Sequence, residues 1–511
     1  MLTLNVPGTD AVLQQTVNTK PKAVKEWLER LPFANAAETA QQLVLALYSL
    51  NRHPLGGDDR YALLALYRPA IARAVASLEA QLAESGVPPH APQRQSGALL
   101  RELHIEHSIG YKQVLLALAA PRFGRAAPKR MAEVTARLLA ALRDVHTACA
   151  LIHAPAPEGL WQEMHQVHAF AQVSNLADVT VEDAVPASLA YTQALLIALA
   201  DPPHMSYAEL VHTRLYLDHF AARSMLSAAP VAGHQGFAIR TDGDVPPSAF
   251  AAGPVPAALW LDTDALCRHL QDTTTRLRAG ETPRRIGLPA GMEGELTLAL
   301  AKRLLKQWSN GAQRMFKRYA TPGSTVEMVA GVSAIHRLLE QRPQPTLDAS
   351  AVAAPIAVNA TQWTVSNDSA SGLALSGAPD APLNLKVGDP LALRDDAGAG
   401  WSLGVIRWIR MRDARQVELG VERMSPQMQP VWVRLLRGPR KAGPEPALFI
   451  PGLAALKQND RLMLPRNLYQ IGMDAEILHA PYQYLLTFGR RLAHTPSFDL
   501  IDFTLLADEH P

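Results

Sequence analysis

The sequence predicts a multidomain α+β protein, with an all-helical N-terminal part and a β-rich C-terminal part. A chain of 511 residues exceeds one ordinary domain, and its length suggests about three. Ala/Leu-rich stretches with apolar residues at helical spacing continue to about residue 230, whereas short alternating apolar runs dominate after residue 320. Prolines and glycines multiply between these regions. Helical and strand patterns therefore occupy separate parts of the chain.

These changes of pattern divide the chain into five predicted segments. Residues 1–20 are polar and form a flexible lead-in, and residues 21–228 form an all-helical bundle or array. Residues 229–310 mix Pro/Gly-rich stretches with short strands and end in an amphipathic helix, which predicts a small mixed α/β linker subdomain. Residues 311–437 form a β domain, and residues 446–511 form a small β extension after a Pro/Gly/Lys-rich linker.

The composition argues against several classes of protein. The net charge is only +2, so no strong positive field predicts DNA binding. Cys149 and Cys267 lie far apart on helical segments, which argues against a disulfide framework or a cysteine metal site. No apolar run is long enough to span a membrane, and Met1–Gln15 lacks the pattern of a secretion signal. We therefore expect a cytoplasmic protein without a transmembrane segment.

Two arginines stand four residues apart just after the predicted amphipathic helix. Arg314 and Arg318 lie on a short segment that precedes a strand-like run, Ser324–Ala330. Two guanidinium groups on such a segment can bind phosphate oxygens or the O6/N7 edge of guanine. The alternative is that both arginines form the solvated end of the preceding helix, where they complement its dipole.

A second polar group lies where one predicted strand turns into the next. It contains Asn367, Asp368 and Ser369, followed by Gly372. The short polar side chains can reach the N1/N2 edge of a purine or cap backbone N–H groups. Gly372 permits positive φ or the close approach of another backbone. Both a binding site for an anionic, guanine-bearing ligand and an ordinary hairpin turn fit this pattern.

Together, the two groups resemble the paired motif of PilZ domains, the bacterial receptors for cyclic di-GMP. Arg314 and Arg318 match the Arg-x-x-x-Arg half of that motif. Asn367, Ser369 and Gly372 match the second half, Asn-x-Ser-x-x-Gly. Either half alone is a weak signal, whereas both halves in order, each beside strand-like runs, favour nucleotide binding.

The resemblance covers about residues 310–435 and implies a six-stranded PilZ-like β-barrel at 311–437. Alternating runs after the second motif are similar to the later strands of such a barrel. The chain departs from the family pattern in one respect. A Pro/Ala-rich insertion, Gln341–Ala360, separates the two motifs by more residues than a compact PilZ barrel needs, and we interpret it as an exposed loop.

The resemblance implies a receptor rather than an enzyme, with no metal and with cyclic di-GMP as ligand rather than a cofactor. Bound dinucleotide, often an intercalated dimer, would order the arginine segment against the barrel and change the docking of the helical region. Motility, adhesion and polysaccharide export are the outputs of such receptors, reached here through a protein partner of the helical region. The implied ligand-binding residues are Arg314, Arg318, Asn367, Asp368, Ser369 and Gly372.

Two tryptophans of the β domain are further candidates. Trp401 and Trp408 can stack on a guanine ring, since an aromatic face binds a base. For Trp408, packing between strands is the favoured interpretation.

Two other functions fit parts of the sequence. A PilZ-fold scaffold that no longer binds nucleotide would act through protein–protein interaction, and the insertion favours it because the insertion can cover the pocket. A metal-dependent hydrolase would use histidines three residues apart on two helices, beside acidic residues. Neither cluster has the His-Glu-x-x-His pattern of zinc hydrolases, so we interpret both as structural. The clusters are Glu102, His104, Glu106 and His107, and Glu163, His165 and His168.

Overall fold

A computed structural model of the chain provides the architecture. It describes residues 2–507 apart from 11–17, 121–127, 248–258, 293–294, 310–318, 321–322, 341–359, 370, 380–382, 396–399, 414, 437–442, 453–457 and 480–481. The chain divides into two compact units. The first comprises Met1–Ser85 and His90–Gln313, and the second comprises Gly86–Pro89 and Arg314–Pro511.

The described part of the first unit contains ten α-helices. Their bounds are α1 Pro21–Glu29, α2 Ala36–Asn51, α3 Gly57–Leu82, α4 Ala91–Ala119, α5 Pro128–Leu151, α6 Leu160–Val173, α7 Ala187–Leu199, α8 Tyr207–Phe220, α9 Asp264–Arg278 and α10 Glu295–Trp308. Local sequence sets several ends. Asn35 caps α2 by accepting the Glu38 N–H at 3.2 Å, and Ser206 forms a capping box with Glu209 at the start of α8.

Helix α3 shows where a local signal is overridden by packing. The sequence predicts a kink or a break at Pro69, yet the helix continues through this residue. Pro69 lies on the exposed side of α3, whereas Ala70 and Ile71 are buried. Burial of the apolar face therefore outweighs the one backbone hydrogen bond that proline removes.

The residues predicted as a linker subdomain share the hydrophobic core of the helices. Strands β1 Met225–Ser227, β2 Gly236–Ile239 and β3 Leu259–Asp262 form an antiparallel sheet in the order β1-β3-β2. Leu261 of this sheet and Trp308 of α10 belong to the same buried cluster as the leucines of α2–α7. The indole N–H of Trp308 donates to the Leu196 carbonyl oxygen at 3.0 Å. Sheet and helices therefore form one core.

The start of the chain is tied to helices α4 and α6. Residues 1–20 are predicted as a flexible lead-in, but Leu4 is buried in the helical core. The Asn5 N–H donates to Glu163 Oε1 at 2.6 Å. Glu163 also pairs with Lys112, whose Nζ lies 2.6 Å from Oε2, and both side chains are only 9% exposed. A buried ion pair thus anchors the first residues of the chain.

The second unit begins with a closed antiparallel barrel and one inserted helix. Its elements are β4 Tyr319–Ala320, β5 Thr325–Ala330, α11 Val332–Glu340, β6 Thr361–Ser369, β7 Gly372–Gly377, β8 Pro390–Arg394, β9 Ser402–Met411 and β10 Val417–Ser425. The strand order is β6-β5-β8-β9-β10-β7, and pairing of β7 with β6 closes the barrel of six strands. The short strand β4 adds to β6.

A second closed barrel follows. Its strands are β11 Gln429–Leu435, β12 Glu445–Ile450, β13 Arg461–Pro465, β14 Asp474–His479, β15 Tyr482–His494 and β16 Phe498–Ala507, in the order β11-β12-β13-β16-β15-β14. The predicted small β extension at 446–511 therefore belongs to a complete barrel, whose first strand precedes it. Each barrel has its own apolar interior.

The two barrels share a third apolar cluster, into which α11 packs. Val405 of β9 and Leu448 of β12 belong to it, together with Ile335 of α11. At the end of α11 the Trp432 indole N–H donates to Glu340 Oε1 at 2.8 Å. The outer wall of the first barrel is therefore buried along β5, β8 and β9.

The multidomain α+β class predicted from the sequence is confirmed by this architecture, as is the six-stranded barrel. Among the described residues, none of the helices combines the length and the apolar character that a membrane crossing requires.

We expect Lys112→Met to destabilise the helical unit by about 3–5 kcal/mol, because it leaves Glu163 as an uncompensated buried charge. Urea unfolding of the full chain, followed by helical circular dichroism, measures the loss. Lys112→Met/Glu163→Gln should recover most of it, since this pair removes both charges and keeps an acceptor for the Asn5 N–H. A double variant as unstable as Lys112→Met contradicts the interpretation.

Candidate functional site

The hairpin of β6 and β7 carries the second predicted motif. Asn367, Asp368 and Ser369 are the last three residues of β6, and Gly372 is the first residue of β7. Ser369 pairs with Gly372 across the turn. A register shift lies just before Asn367, and such a bulge redirects the side chains that follow it. The four residues therefore gather at one end of the barrel.

Strand β4 connects this end of the barrel with the first motif. Arg314 and Arg318 lie outside the described residues. β4 begins at Tyr319, the residue after Arg318, and pairs with Asp368 and Asn367 of β6. The chain that leaves the first motif thus adds directly to the strand that carries the second.

Asn367 and Ser369 present polar groups at the hairpin. The Asn367 side chain is half-buried and makes no hydrogen bond within the described part of the chain, so its amide offers two donors and one acceptor. The Ser369 hydroxyl donates to the Gly372 carbonyl oxygen at 3.0 Å and lies 3.5 Å from the Ser371 hydroxyl, so it can still accept a hydrogen bond from a ligand.

Asp368 is paired with an arginine that the sequence analysis did not single out. Nη2 of Arg423, on β10, lies 3.1 Å from each carboxylate oxygen of Asp368. The two residues are 55 positions apart, so only the barrel brings them together. No spacing rule within one element identifies such a pair.

Gly372 is required by the neighbouring strand. A Cβ at this position would lie 2.2 Å from the carbonyl oxygen of Val421 on β10. The φ angle of Gly372 is not positive, so the close approach of a neighbouring backbone, rather than a left-handed conformation, explains the glycine. Gly372 therefore serves the packing of β7 against β10.

The two candidate tryptophans differ in their accessibility. Trp401 is only 6% exposed in the cluster between the barrels, and the guanidinium of Arg394 lies 4.5 Å from its ring centroid. Trp408 is half-buried on β9, and a Cβ at Gly420 would lie 1.8 Å from its indole nitrogen. The ring of Trp408 therefore covers Gly420 on the barrel wall.

The strand register places Trp408 in one row with the motif. Trp408 pairs with Gly420, Gly420 with Ala374, and Ala374 with Asn367. Paired residues point to the same face of a sheet, and three strand spacings of about 4.8 Å give a row of about 14 Å. An aromatic ring thus stands at one end of a strip of small residues and an amide at the other.

The first histidine cluster does not converge on one point. Glu106 accepts from the amide of Asn51 at 2.8 Å, on the side of α2. His107 packs edge-on against Tyr111 at 5.1 Å, and burial lowers the pKa of His107 to about 3. Among the described residues, no group of three or more His, Cys, Asp or Glu side chains could hold a metal ion.

The second histidine cluster packs around Tyr191. His165 Nδ1 is hydrogen-bonded to the Tyr191 hydroxyl at 2.6 Å, and His168 stacks on the same ring at 4.1 Å. The acidic member, Glu163, is engaged by Lys112. Burial, with a smaller contribution from His165, lowers the pKa of His168 to about 4. These contacts support the structural interpretation of the cluster.

The buried histidines should make the helical unit sensitive to acid. Since the pKa of His168 falls from 6.5 to about 4 on folding, the unfolded chain takes up the proton first. Stability from neutral His168 is therefore complete above pH 6.5 and is lost as the pH falls towards 4. We expect a loss of roughly 2 kcal/mol at pH 5 from this residue.

Urea unfolding at pH 7.5 and pH 5 measures this loss. His168→Phe keeps an aromatic ring on Tyr191 but cannot take up a proton, so it should lose less stability than the wild type between the two pH values. An equal loss of stability in both proteins would contradict the assignment of this acid sensitivity to His168.

Gly372→Ala should destabilise the second unit by about 1–3 kcal/mol, because the methyl group meets the Val421 carbonyl oxygen. Chemical denaturation followed by tryptophan fluorescence measures it. Gly443→Ala is the matched control, since no atom of the described residues beyond its chain neighbours lies within 4 Å of its Cβ position, and it should change stability by less than about 1 kcal/mol. Equal effects of both variants would show that β10 does not require the glycine.

Models of three protein-family domains match consecutive parts of the chain. Residues 22–230 match "Cyclic-di-GMP receptor FimW, N-terminal domain". Residues 237–344 and 340–430 match "Cyclic-di-GMP receptor FimW, middle PilZ domain". Residues 431–506 match "FimW C-terminal beta-barrel domain".

A curated relative has the same extent. The protein named "Cyclic-di-GMP receptor FimW" of Pseudomonas aeruginosa is 26% identical over 573 residues, which cover 98% of this chain and 93% of the relative. No solved structure matches the chain. The resemblance to PilZ domains is thereby confirmed: the chain contains a PilZ domain between a helical domain and a C-terminal β-barrel, in the order of the three FimW domain models.

Proposed function

We propose that this protein is a receptor for cyclic di-GMP and binds the dinucleotide at the hairpin end of its first barrel. Its relative in Pseudomonas aeruginosa is named a receptor for this ligand. The proposed contacts are those of the two motifs, Arg314, Arg318, Asn367, Asp368, Ser369 and Gly372.

The pairing of β4 with β6 is the observation that carries this proposal. β4 starts one residue after Arg318 and pairs with Asp368 and Asn367. Consecutive Cα atoms are about 3.8 Å apart, and we therefore expect Arg318, which directly precedes β4, to act at the hairpin end of the barrel. Two motifs that lie far apart in sequence can then act on one ligand.

The chemistry of the ligand and that of the motif residues are complementary. Cyclic di-GMP has two phosphodiester charges and two guanines, each with O6 and N7 acceptors. Guanidinium groups bind such oxygens through paired, charge-assisted hydrogen bonds. The amide of Asn367, which makes no hydrogen bond to the described residues, supplies neutral donors and an acceptor for a guanine edge, and the Ser369 hydroxyl supplies a further acceptor.

The strip from Trp408 to Asn367 suits a flat base. The ring of Trp408 covers Gly420, and Ala374, the next residue of the row, raises no long side chain from the wall. A guanine lying over Ala374 would contact Trp408 and reach the Asn367 amide. Of the two candidate tryptophans, we therefore assign the contact with guanine to Trp408.

The regulatory role is that of a cytoplasmic signalling protein without catalysis. Bound ligand orders the arginine segment at the barrel, and this changes the docking of the helical region on a protein partner. Motility, adhesion or polysaccharide export is the output. The predicted insertion at 341–360 lies almost entirely outside the described residues, so the scaffold alternative is distinguished by binding measurements.

Calorimetric titration of cyclic di-GMP into the full chain tests the proposal. Wild type should bind, and Arg318→Ala should weaken binding about ten- to a hundredfold, because it removes charge-assisted hydrogen bonds. Lys317→Ala is the matched control, since it removes the same charge from a residue between the motif positions. It should weaken binding less than about fivefold, as expected of a solvated charge.

Two outcomes contradict the proposal. Absence of both heat and thermal stabilisation with wild type would leave the barrel as a scaffold. Equal losses in Arg318→Ala and Lys317→Ala would show that only the net charge of the segment matters.

A further inference from the structure

We propose that Arg423 is a third arginine of the ligand site and that Asp368 holds its guanidinium in place. This inference rests on the proposed binding of cyclic di-GMP. It extends the site from the two motifs to β10, and it changes the role of Asp368 from direct contact with guanine to positioning.

The backbone fixes Arg423 beside the hairpin. Glu422 pairs with Gly372, and the next residue, Arg423, donates its N–H to the Ser371 carbonyl oxygen at 3.0 Å. Its side chain then reaches the carboxylate of Asp368, on the far strand of the hairpin. Arg423 therefore stands at the barrel end where both halves of the proposed site meet.

The contact with Asp368 leaves most of the guanidinium available. Only Nη2 approaches the carboxylate, at 3.1 Å from each oxygen. An arginine side chain has five N–H donors, and Nε and Nη1 of Arg423 make no hydrogen bond within the described residues. Both side chains are 39% exposed, so the pair is open to solvent and to a ligand.

Two arginines of the neighbouring strand β9 do not offer this arrangement. The Nε–H of Arg407 donates to the carboxylate of Glu422. The guanidinium of Arg410 lies over the ring of Trp408, 5.5 Å from its centroid. Arg423 is thus distinguished by its place at the hairpin and by two nitrogens, Nε and Nη1, that make no hydrogen bond to the described part of the chain.

Charge balance also favours this role. Asp368 stands between Asn367 and Ser369, where the proposal places an anionic ligand. A lone carboxylate there would repel a phosphate, whereas a carboxylate paired with Arg423 is neutralised. The free donors of Arg423 can then bind a phosphodiester oxygen or the O6/N7 edge of guanine.

The pair is not needed for folding, which makes it testable. A half-exposed ion pair contributes little to stability because solvent screens it, so variants should unfold close to the wild-type temperature. Arg434→Gln on the second barrel is the matched control. Arg434 is 45% exposed and also pairs across strands, with Glu476.

Calorimetry with cyclic di-GMP compares wild type, Arg423→Gln, Arg423→Lys, Asp368→Asn and Arg434→Gln. Arg423→Gln should weaken binding at least about tenfold. Arg423→Lys should lose less affinity than Arg423→Gln but stay weaker than wild type, because an ammonium group keeps the charge but cannot form the paired hydrogen bonds of a planar guanidinium. Arg434→Gln should stay within about twofold of wild type.

The double variant Asp368→Asn/Arg423→Gln tests whether Asp368 acts only by positioning Arg423. Asp368→Asn should weaken binding about three- to tenfold in the wild-type background, yet have no effect in Arg423→Gln, because it acts through Arg423. Additive losses would overturn the positioning role and return Asp368 to direct ligand contact.

The remaining outcomes separate this inference from the proposed function. Absence of wild-type binding removes the proposed function itself. If wild type binds, and Arg423→Gln binds with the same affinity as Arg434→Gln, the proposed receptor function stands and the inference is overturned. Tighter binding by Arg423→Gln also overturns it, since Arg423 would then block Asp368 from the ligand.

Discussion

The closure of the first barrel by β6 and β7 is the constraint on which the proposed site depends. The pairing of these strands sets the hairpin at one end of the barrel, with β4 on one side and β10 on the other. Gly372 permits the approach of β10, and β10 supplies Arg423. Because strand pairing advances in fixed steps, a shift of one residue would separate these groups.

The sequence was sufficient to predict the parts of the site that are local in the chain. The hairpin could be located because polar residues and a glycine interrupt two alternating runs, as at Asn367 and Gly372. The pair of Asp368 and Arg423 could not, since its partners meet only through the closed barrel. The role of Gly372 was ambiguous for the same reason, because the strand that requires it lies about fifty residues away.

The fold prediction succeeded for local structure and failed for packing between distant segments. Helical periodicity predicted helices throughout residues 21–228, and α1 to α8 lie within this range. Residues 229–310 seemed a separate subdomain because their composition differs, yet Leu261 and Trp308 are buried among the leucines of the helices. Shared burial between distant segments is a property of the packed core, and composition does not report it. The histidines illustrate the converse, since a local criterion, the missing His-Glu-x-x-His pattern, favoured the structural interpretation, and the contacts of His165 and His168 with Tyr191 support it.

The apolar cluster between the barrels bears on how the PilZ domain can be produced for experiments. Leu403 and Val405 face outward from the first barrel and are buried only because the second barrel and α11 cover them. The boundary between the two family models, at residues 430 and 431, falls inside β11. A fragment cut there would expose a contiguous apolar wall and leave a strand edge unpaired, both of which promote aggregation. Insolubility of such a fragment would therefore say nothing about nucleotide affinity, and both barrels belong in one expression unit.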